Sequence, residues 1–136
     1  MRAVAKARYA WQTYERDIAL AEGIPNSYRI VFMFLLRHPG ANQRNIAEFA
    51  GVTTSAVNQV VSSMLAEDYL RKEIDTSDKR NSKIYLTEKG IAIAEKLYAK
   101  LDVADDAITA MIGADKEAEL IAFLEQLADY IRKDLD

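Results

Sequence analysis

The positions of glycine and proline constrain this 136-residue chain most strongly, because they divide it into six pieces. Glycine adopts backbone conformations that other residues resist, and proline cannot continue a helix. The boundaries fall at Gly23, Pro25, Pro39, Gly40, Gly51, Gly90 and Gly113. Apolar residues between them recur at helical spacing, which predicts a mainly α-helical fold. Asn26 can cap the second helix, in which residues 30–36 are apolar and expected to be buried.

Two of the pieces predict a pair of helices joined by a tight glycine turn. Asn42 can cap a short helix over Gln43–Ala50, and the glycine that follows can end it. Thr53 and Thr54 can then cap a longer helix that reaches about Asp68. A short helix, a tight turn and a second helix make a helix-turn-helix, in which the first helix braces the second against a DNA groove.

The second helix of this pair has one apolar face and one small polar face. The apolar stripe contains Val57, Val60, Val61, Met64 and Leu65. The polar side chains that lie off the stripe are Thr54, Ser55, Asn58, Gln59 and Ser62. Such short hydrogen-bonding side chains can reach base edges in a major groove, which predicts a recognition helix. An ordinary solvated helix face is the alternative, and this face alone does not decide between the two.

A β-hairpin is predicted after the second helix, with strands over residues 69–74 and 83–86 that flank the polar loop 75–82. Lys79, Arg80 and Lys83 are expected at an exposed tip beside the second helix. An arginine at such a tip can enter a narrow minor groove, where the negative potential is enhanced. Asp78 can direct the Arg80 guanidinium by a charge-assisted hydrogen bond. A solvated loop with an incidental ion pair is the alternative.

Charge is distributed unevenly along the chain, although its net value is -3. Residues 28–90 hold nine Lys and Arg against seven Asp and Glu, a net of +2, whereas residues 91–136 hold five against eleven, a net of -6. The middle of the chain can therefore approach phosphate, and the acidic C-terminal part cannot.

Several classes of protein are disfavoured by composition. The absence of cysteine excludes disulfides and cysteine-based metal or catalytic sites. The longest purely apolar run, residues 30–36, is too short to span a bilayer, no leader pattern is evident, and a cytoplasmic location is expected. Because the sequence has no nucleophile with a paired base, no metal-ligand spacing and no phosphate-binding glycine loop, we expect neither an enzyme nor a bound cofactor or metal.

The pieces at both ends of the chain predict long helices with more apolar stripe than one small core needs. Dimerisation is therefore expected through Val4, Trp11, Tyr14, Ile18, Leu120, Phe123, Leu124, Leu127 and Ile131. We predict a single domain over residues 1–136. Within it, residues 26–90 form a winged helix-turn-helix that binds DNA, and residues 1–22 and 91–136 form dimerisation helices.

The predicted wing resembles that of a known family of regulators. Its matching motif is Asp78-x-Arg80 followed by Ile84-x-Leu86-Thr87-x-x-Gly90, which is similar to the wing signature of MarR-type transcriptional regulators. Residues 42–47 and 55–61 are similar to that family's first helix-turn-helix helix and its recognition helix. The motif resemblance covers about residues 26–90, and the order of elements extends it over the whole chain.

Two positions depart from the family pattern. Asp68 stands where a glycine usually ends the recognition helix, which can alter how the wing leaves that helix. Lys72 stands where an arginine often follows the strand, so the cation is kept but the bidentate fork is lost.

The resemblance implies a homodimer in which each subunit places its recognition helix in a major groove and its wing in the adjacent minor groove. It assigns base reading to Thr54, Ser55, Asn58 and Gln59, backbone approach to Gln43 and Arg44, and the minor groove to Arg80. We expect a repressor that binds double-stranded DNA at a pseudo-palindromic operator and that a small-molecule effector can release. A winged-helix protein-interaction module without sequence-specific DNA binding is the alternative.

Overall fold

The computed structural model describes residues 1–78 and 81–134 of the chain. These residues form α1 (Arg2–Ala21), α2 (Asn26–Arg37), α3 (Gln43–Ala50), α4 (Thr54–Ala66), β1 (Leu70–Glu73), β2 (Lys83–Leu86), α5 (Glu88–Ile112) and α6 (Ala114–Asp134). The two strands pair antiparallel, with Leu70 opposite Leu86 and Glu73 opposite Lys83. The predicted fold class, mainly helical with a β-hairpin wing, is confirmed.

The chain forms two compact units, of which the first covers Met1–Lys100 and the second begins at Leu101. The first unit contains the helix-turn-helix and the wing. The second contains the last part of α5 and the whole of α6. Within the described ranges, no helix is both long enough and apolar enough to cross a lipid bilayer. The domain boundaries drawn from the sequence stay predictions.

The core of the first unit is built around α2. Phe32 and Leu35 on this helix are almost fully buried, together with Ile46 from α3, Met64 from α4 and Ile84 from β2. The ring of Phe32 meets that of Tyr69 edge to face, with 5.2 Å between centroids, a geometry that aromatic pairs prefer. The expected burial of the apolar run on α2 holds for one face: Val31, Phe32 and Leu35 are buried, and the other four residues of the run are half-buried.

Local capping explains where α3 and α4 begin. The Asn42 side chain accepts a hydrogen bond from the backbone N–H of Asn45 at 2.8 Å, and Gly51 ends α3 in the left-handed conformation with φ of 67°. Thr53 caps α4 by accepting from the N–H of Ala56 at 3.2 Å. Thr54 is the first residue of α4 and not its cap.

The predicted cap of α2 is wrong. Pro25 stands at the N-cap position, and Asn26 is the first residue of the helix. The Asn26 Oδ1 accepts a hydrogen bond from Nε of Arg29 at 2.9 Å, so the side chain serves a neighbouring guanidinium and not a backbone N–H. The fixed φ of proline suits a helix start, which lets the helix begin without a side-chain cap.

The junction between α4 and β1 sets the direction in which the wing leaves the recognition helix. Asp68 adopts a left-handed conformation with φ of 62°, which glycine favours and Asp tolerates. The N–H of Tyr69 bonds back to the carbonyl of Met64 at 2.9 Å, and that of Asp68 bonds to Leu65 at 3.1 Å. This is a Schellman motif, so Asp68 follows the backbone route that a glycine would take.

The same junction explains the glycine that ends the wing motif. A Cβ on Gly90 would lie 2.2 Å from the carbonyl oxygen of Tyr69, a distance at which the backbone would have to move. Thr87 stabilises the close approach of Gly90 to Tyr69. Its hydroxyl donates to the carbonyl of Asp68 at 2.6 Å and accepts from the N–H of Gly90 at 3.1 Å. The start of α5 is thereby held against the end of α4.

Candidate DNA-binding surface

The polar face of α4 is presented to solvent. The five side chains predicted to read bases, Thr54, Ser55, Asn58, Gln59 and Ser62, are all exposed. On the opposite face, Val57, Val61 and Met64 are buried. The structure therefore brings the predicted readers together on one side of a helix whose other side is anchored in the core.

A polar groove lies between the start of α3, the start of α4 and the base of the wing. It has a volume of about 600 Å³ and is lined by Asn42, Gln43, Arg44, Asn45, Glu48, Thr54, Asp78, Asn81 and Ser82. Four of the predicted DNA-binding residues, Gln43, Arg44, Thr54 and Asp78, thus lie around one concavity.

Arg44 pairs through Nε with Glu48 at 3.1 Å, and both side chains are exposed. A guanidinium has five N–H donors, so this contact leaves donors for a phosphate.

Strand β2 forms hydrogen bonds on both of its edges, one within the wing and one to the body of the first unit. One edge pairs with β1, and the other forms a bridge in which the N–H of Ile84 donates to the carbonyl of Ala41 at 3.0 Å. The N–H of Gly40 donates in turn to the carbonyl of Ile84 at 2.9 Å. Sequence reasoning missed this third segment, because a two-residue pairing before a helix cap has no periodicity to detect.

A side-chain hydrogen bond extends this attachment toward the tip. Nδ2 of Asn42 donates to Oδ1 of Asn81 at 2.7 Å, which joins the cap of α3 to the segment just before β2. Asn81 was assigned no role from the sequence, where it is one polar loop residue among several. Because Asn81 lies 39 residues from Asn42 in the chain, no local sequence pattern could have predicted the bond between them.

The tip of the wing is only partly covered by the described residues. Lys79 and Arg80 lie outside them, and so does the predicted contact between Asp78 and Arg80. Lys83 is the first residue of β2 and faces Glu73 across the strand pair, so it belongs to the strand and not to the tip. Asp75 is held in the loop by the hydroxyl and the N–H of Ser77, at 2.6 and 2.9 Å, and these bonds lower the pKa of its carboxyl.

The predicted dimerisation residues divide into exposed and half-buried groups on the single chain. On α1, Val4 and Tyr14 are exposed, whereas Trp11 and Ile18 are half-buried. On α6, the exposed residues are Leu120, Phe123 and Ile131, and the half-buried ones are Leu124 and Leu127. Each helix therefore keeps apolar surface that its own unit does not cover.

A second polar cavity, of about 280 Å³, lies against α1 and α2. Arg29 on its wall is almost fully buried and pairs with Glu15 at 3.2 Å. Burial lowers the pKa of the Arg29 guanidinium, and the Glu15 carboxylate opposes that shift. Arg16 also lines the cavity and adds a second guanidinium to it.

These features define a winged helix-turn-helix protein. Residues 22–81 match the MarR family. The uncharacterised HTH-type transcriptional regulator YwaE of Bacillus subtilis (strain 168) is 29% identical over 86 residues, which are 63% of this chain and 50% of YwaE. Residues 22–81, slightly less than half of the chain, are thus similar to the MarR family, and the resemblance predicted from the sequence is confirmed. The chain matches only half the length of YwaE.

Solved structures with this fold cover nearly the whole chain. A Staphylococcus aureus MarR in complex with salicylate and kanamycin has a TM-score of 0.85 at 16% identity, and the match covers 98% of this chain and 90% of that one. An S. aureus MepR mutant bound to an oligodeoxyribonucleotide has a TM-score of 0.64 at 17% identity and 96% coverage of each chain. At these identities the likeness establishes the fold.

Proposed function

We propose that this chain is a sequence-specific DNA-binding transcriptional regulator that acts in the cytoplasm as a homodimer on a pseudo-palindromic operator. The observation that carries the proposal is the exposed polar face of α4, which lies beside the groove formed with α3 and the wing. The DNA-bound relative with the same fold supports this assignment.

Each part of the surface has a role in the proposed complex. The amides of Asn58 and Gln59 suit bidentate hydrogen bonds to adenine in the major groove, and the shorter hydroxyl side chains on α4 read neighbouring bases. Gln43 and Arg44 approach the phosphate backbone from the groove. The basic residues 79 and 80 extend from the wing into the minor groove, where the potential is most negative over A/T-rich sequence.

Dimerisation sets the spacing of the two recognition helices in this proposal. A symmetric dimer presents them about 34–36 Å apart, one turn of DNA, which selects an operator with two inverted half-sites. The uncovered apolar side chains on α1 and α6 supply the contact between subunits. A dimer seated on a promoter excludes other proteins from the same DNA, so we propose repression.

We propose a small anionic molecule as the effector. The cavity against α1 and α2 is lined by Arg16 and the buried Arg29, whose guanidinium groups have N–H donors for a carboxylate ligand beyond those that bond to Asp17 and Glu15. The S. aureus MarR complex with salicylate supports this class of ligand. Such a molecule releases DNA only if it binds better to a subunit spacing that does not fit the operator.

Selection of bound fragments from a random DNA pool, followed by titration of the recovered site, tests the proposal. We expect Asn58→Ala and Arg80→Ala each to weaken binding by about 1–3 kcal/mol, the first with relaxed preference at one base pair. Arg132→Ala on α6 removes the same charge from an exposed position and serves as the control. Salicylate added to the titration should lower affinity for the operator.

Salt dependence separates the proposed regulator from a protein-interaction module. Neutralised phosphates make DNA affinity fall steeply as salt rises. Recovery of no preferred site, together with weak binding that does not respond to salt, would overturn the proposal in favour of the protein-interaction module.

A further inference from the structure

The hydrogen bond between Asn42 and Asn81 joins two segments that are each held in place by other bonds. Oδ1 of Asn42 accepts from the N–H of Asn45 at 2.8 Å, and Oδ1 of Asn45 accepts from the N–H of Asn42 at 3.1 Å. This reciprocal cap fixes the Asn42 side chain with its oxygen toward α3. Its Nδ2 is therefore directed away from the helix, where it donates to Asn81 at 2.7 Å.

Asn81 is held by its neighbours on both sides. Its backbone N–H donates to the carbonyl of Asp78 at 2.9 Å, so the residues that flank positions 79 and 80 are bonded to each other. On its other side, β2 is anchored by the two backbone bonds of Ile84 to Gly40 and Ala41. Among the described residues, the bond from Asn42 is thus the attachment between the wing and α3 that lies nearest in the chain to positions 79 and 80.

We propose that Asn81 is a positioning residue that fixes the direction of the wing tip relative to α3. The inference deepens the proposed function, on which its DNA-binding consequence rests. Asn81 does not itself need to touch DNA. It holds the described residues on either side of positions 79 and 80 next to α3, so that less conformational freedom is lost when the wing enters the minor groove.

Two substitutions remove this bond from opposite sides. Asn81→Ala removes the acceptor, whereas Asn42→Ser removes the donor and keeps an oxygen that can cap α3, since Ser and Asn are comparable N-caps. We expect each to lower operator affinity about three- to tenfold, the range of one hydrogen bond. The double variant should lose no more than either single variant, because both remove the same interaction. Thr76→Ala, on an exposed residue of the same loop, is the matched control.

A purely structural role is tested by two readouts. The melting temperature of both variants should fall only slightly and by a similar amount, because one exposed hydrogen bond is lost while the α3 cap and the backbone bonds of Ile84 remain. The ratio of affinities for operators with A/T-rich and G/C-rich flanks should fall, since a poorly directed tip reads the minor groove less well. Losses that add fully in the double variant, or an unchanged flank preference, would overturn the proposal.

Amide hydrogen exchange on the free protein keeps this test separate from that of the proposed function. Exchange in residues 75–78 and 81–83 should be faster in Asn81→Ala and Asn42→Ser than in Thr76→Ala, with α4 and α5 unchanged. If the wild-type chain binds no operator, the proposed function fails while faster exchange still supports the attachment. Unchanged exchange in both variants would contradict the positioning role, whatever the DNA result.

Discussion

Helices α2 and α6 both carry a rich set of apolar side chains, yet they use them differently. Phe32 on α2 is 0% exposed, whereas Phe123 on α6 is 61% exposed. Helix α2 is enclosed by other elements of its own unit, whereas α6 keeps much of its apolar stripe exposed to solvent. An apolar stripe therefore reports which face of a helix avoids water, and it does not report whether the chain itself or another chain covers that face.

The net charge also differs between the part of the chain that contains α2 and the part that contains α6. Residues 28–90, which include α2 and the wing, have a net charge of +2, and residues 91–136, which include α6, have a net charge of -6. In the proposed regulator, the first region approaches phosphate and the second meets another copy of the chain. The apolar and electrostatic contrasts thus point to the same division of roles.

The largest expected effect is on the packing around α2. Phe32→Ala should lower the free energy of unfolding by about 3–5 kcal/mol, because it removes a buried ring and leaves a cavity. Phe123→Ala, the same substitution at an exposed position, should cost less than about 1 kcal/mol when the chain is dilute enough to be monomeric. Urea denaturation of both variants measures the difference, and equal losses would contradict the comparison. If Phe32→Ala does not fold, Phe32→Leu is the milder replacement.

A smaller effect is expected on self-association. Phe123→Asp places a charge on the exposed apolar face of α6 and should weaken the proposed dimer by about 2–4 kcal/mol, the range of an interface hot spot. Ala122→Asp adds the same charge at the adjacent exposed residue, which lies about 100° around the helix and off the apolar stripe, and should leave the dimer intact. Sedimentation equilibrium gives both association constants. A wild-type chain that is strictly monomeric would refute the dimer.

The smallest effect concerns the backbone of the first unit, where no partner surface is touched. Asp68→Gly relieves the left-handed strain at the end of α4 and should stabilise the chain by about 0.5–1 kcal/mol, after the greater freedom of glycine in the unfolded state is included. Asp68→Ala should destabilise it, since alanine resists the same conformation. Thermal unfolding of the two variants tests the sign. A loss of stability in Asp68→Gly would mean that the Asp side chain contributes more than its backbone strain costs.

Local features of the helix-turn-helix could be predicted with little error. Asn42 and Gly51 mark the two ends of α3, and Thr53 marks the start of α4, because capping depends on residues three or four positions apart. Asn26 shows where the same reasoning failed. Both it and Pro25 suit a helix start, but Pro25 stands at the N-cap position and the Asn26 side chain bonds to Arg29.

The candidate DNA-binding surface could be predicted less completely. The exposed side chains of α4 followed from the apolar period, since residues off the stripe must face water. The second strand, residues 83–86, was predicted with its bounds, whereas the placement of Lys83 at the wing tip was wrong, because this residue pairs with Glu73 across the strands. The hydrogen bond from Asn42 to Asn81 could not be found at all, since either side chain could equally well have bonded to water.

The sequence by itself determined the order of the helices, the caps of the helix-turn-helix and the identity of the polar face on α4, because these depend on neighbours within one or two helical turns. Only the tertiary structure decided how the wing is held. The bridge between Ala41 and Ile84, the bond between Asn42 and Asn81, and the close approach that requires glycine at position 90 all join residues distant in the chain. Such contacts arise from packing, which leaves no periodic trace in the sequence.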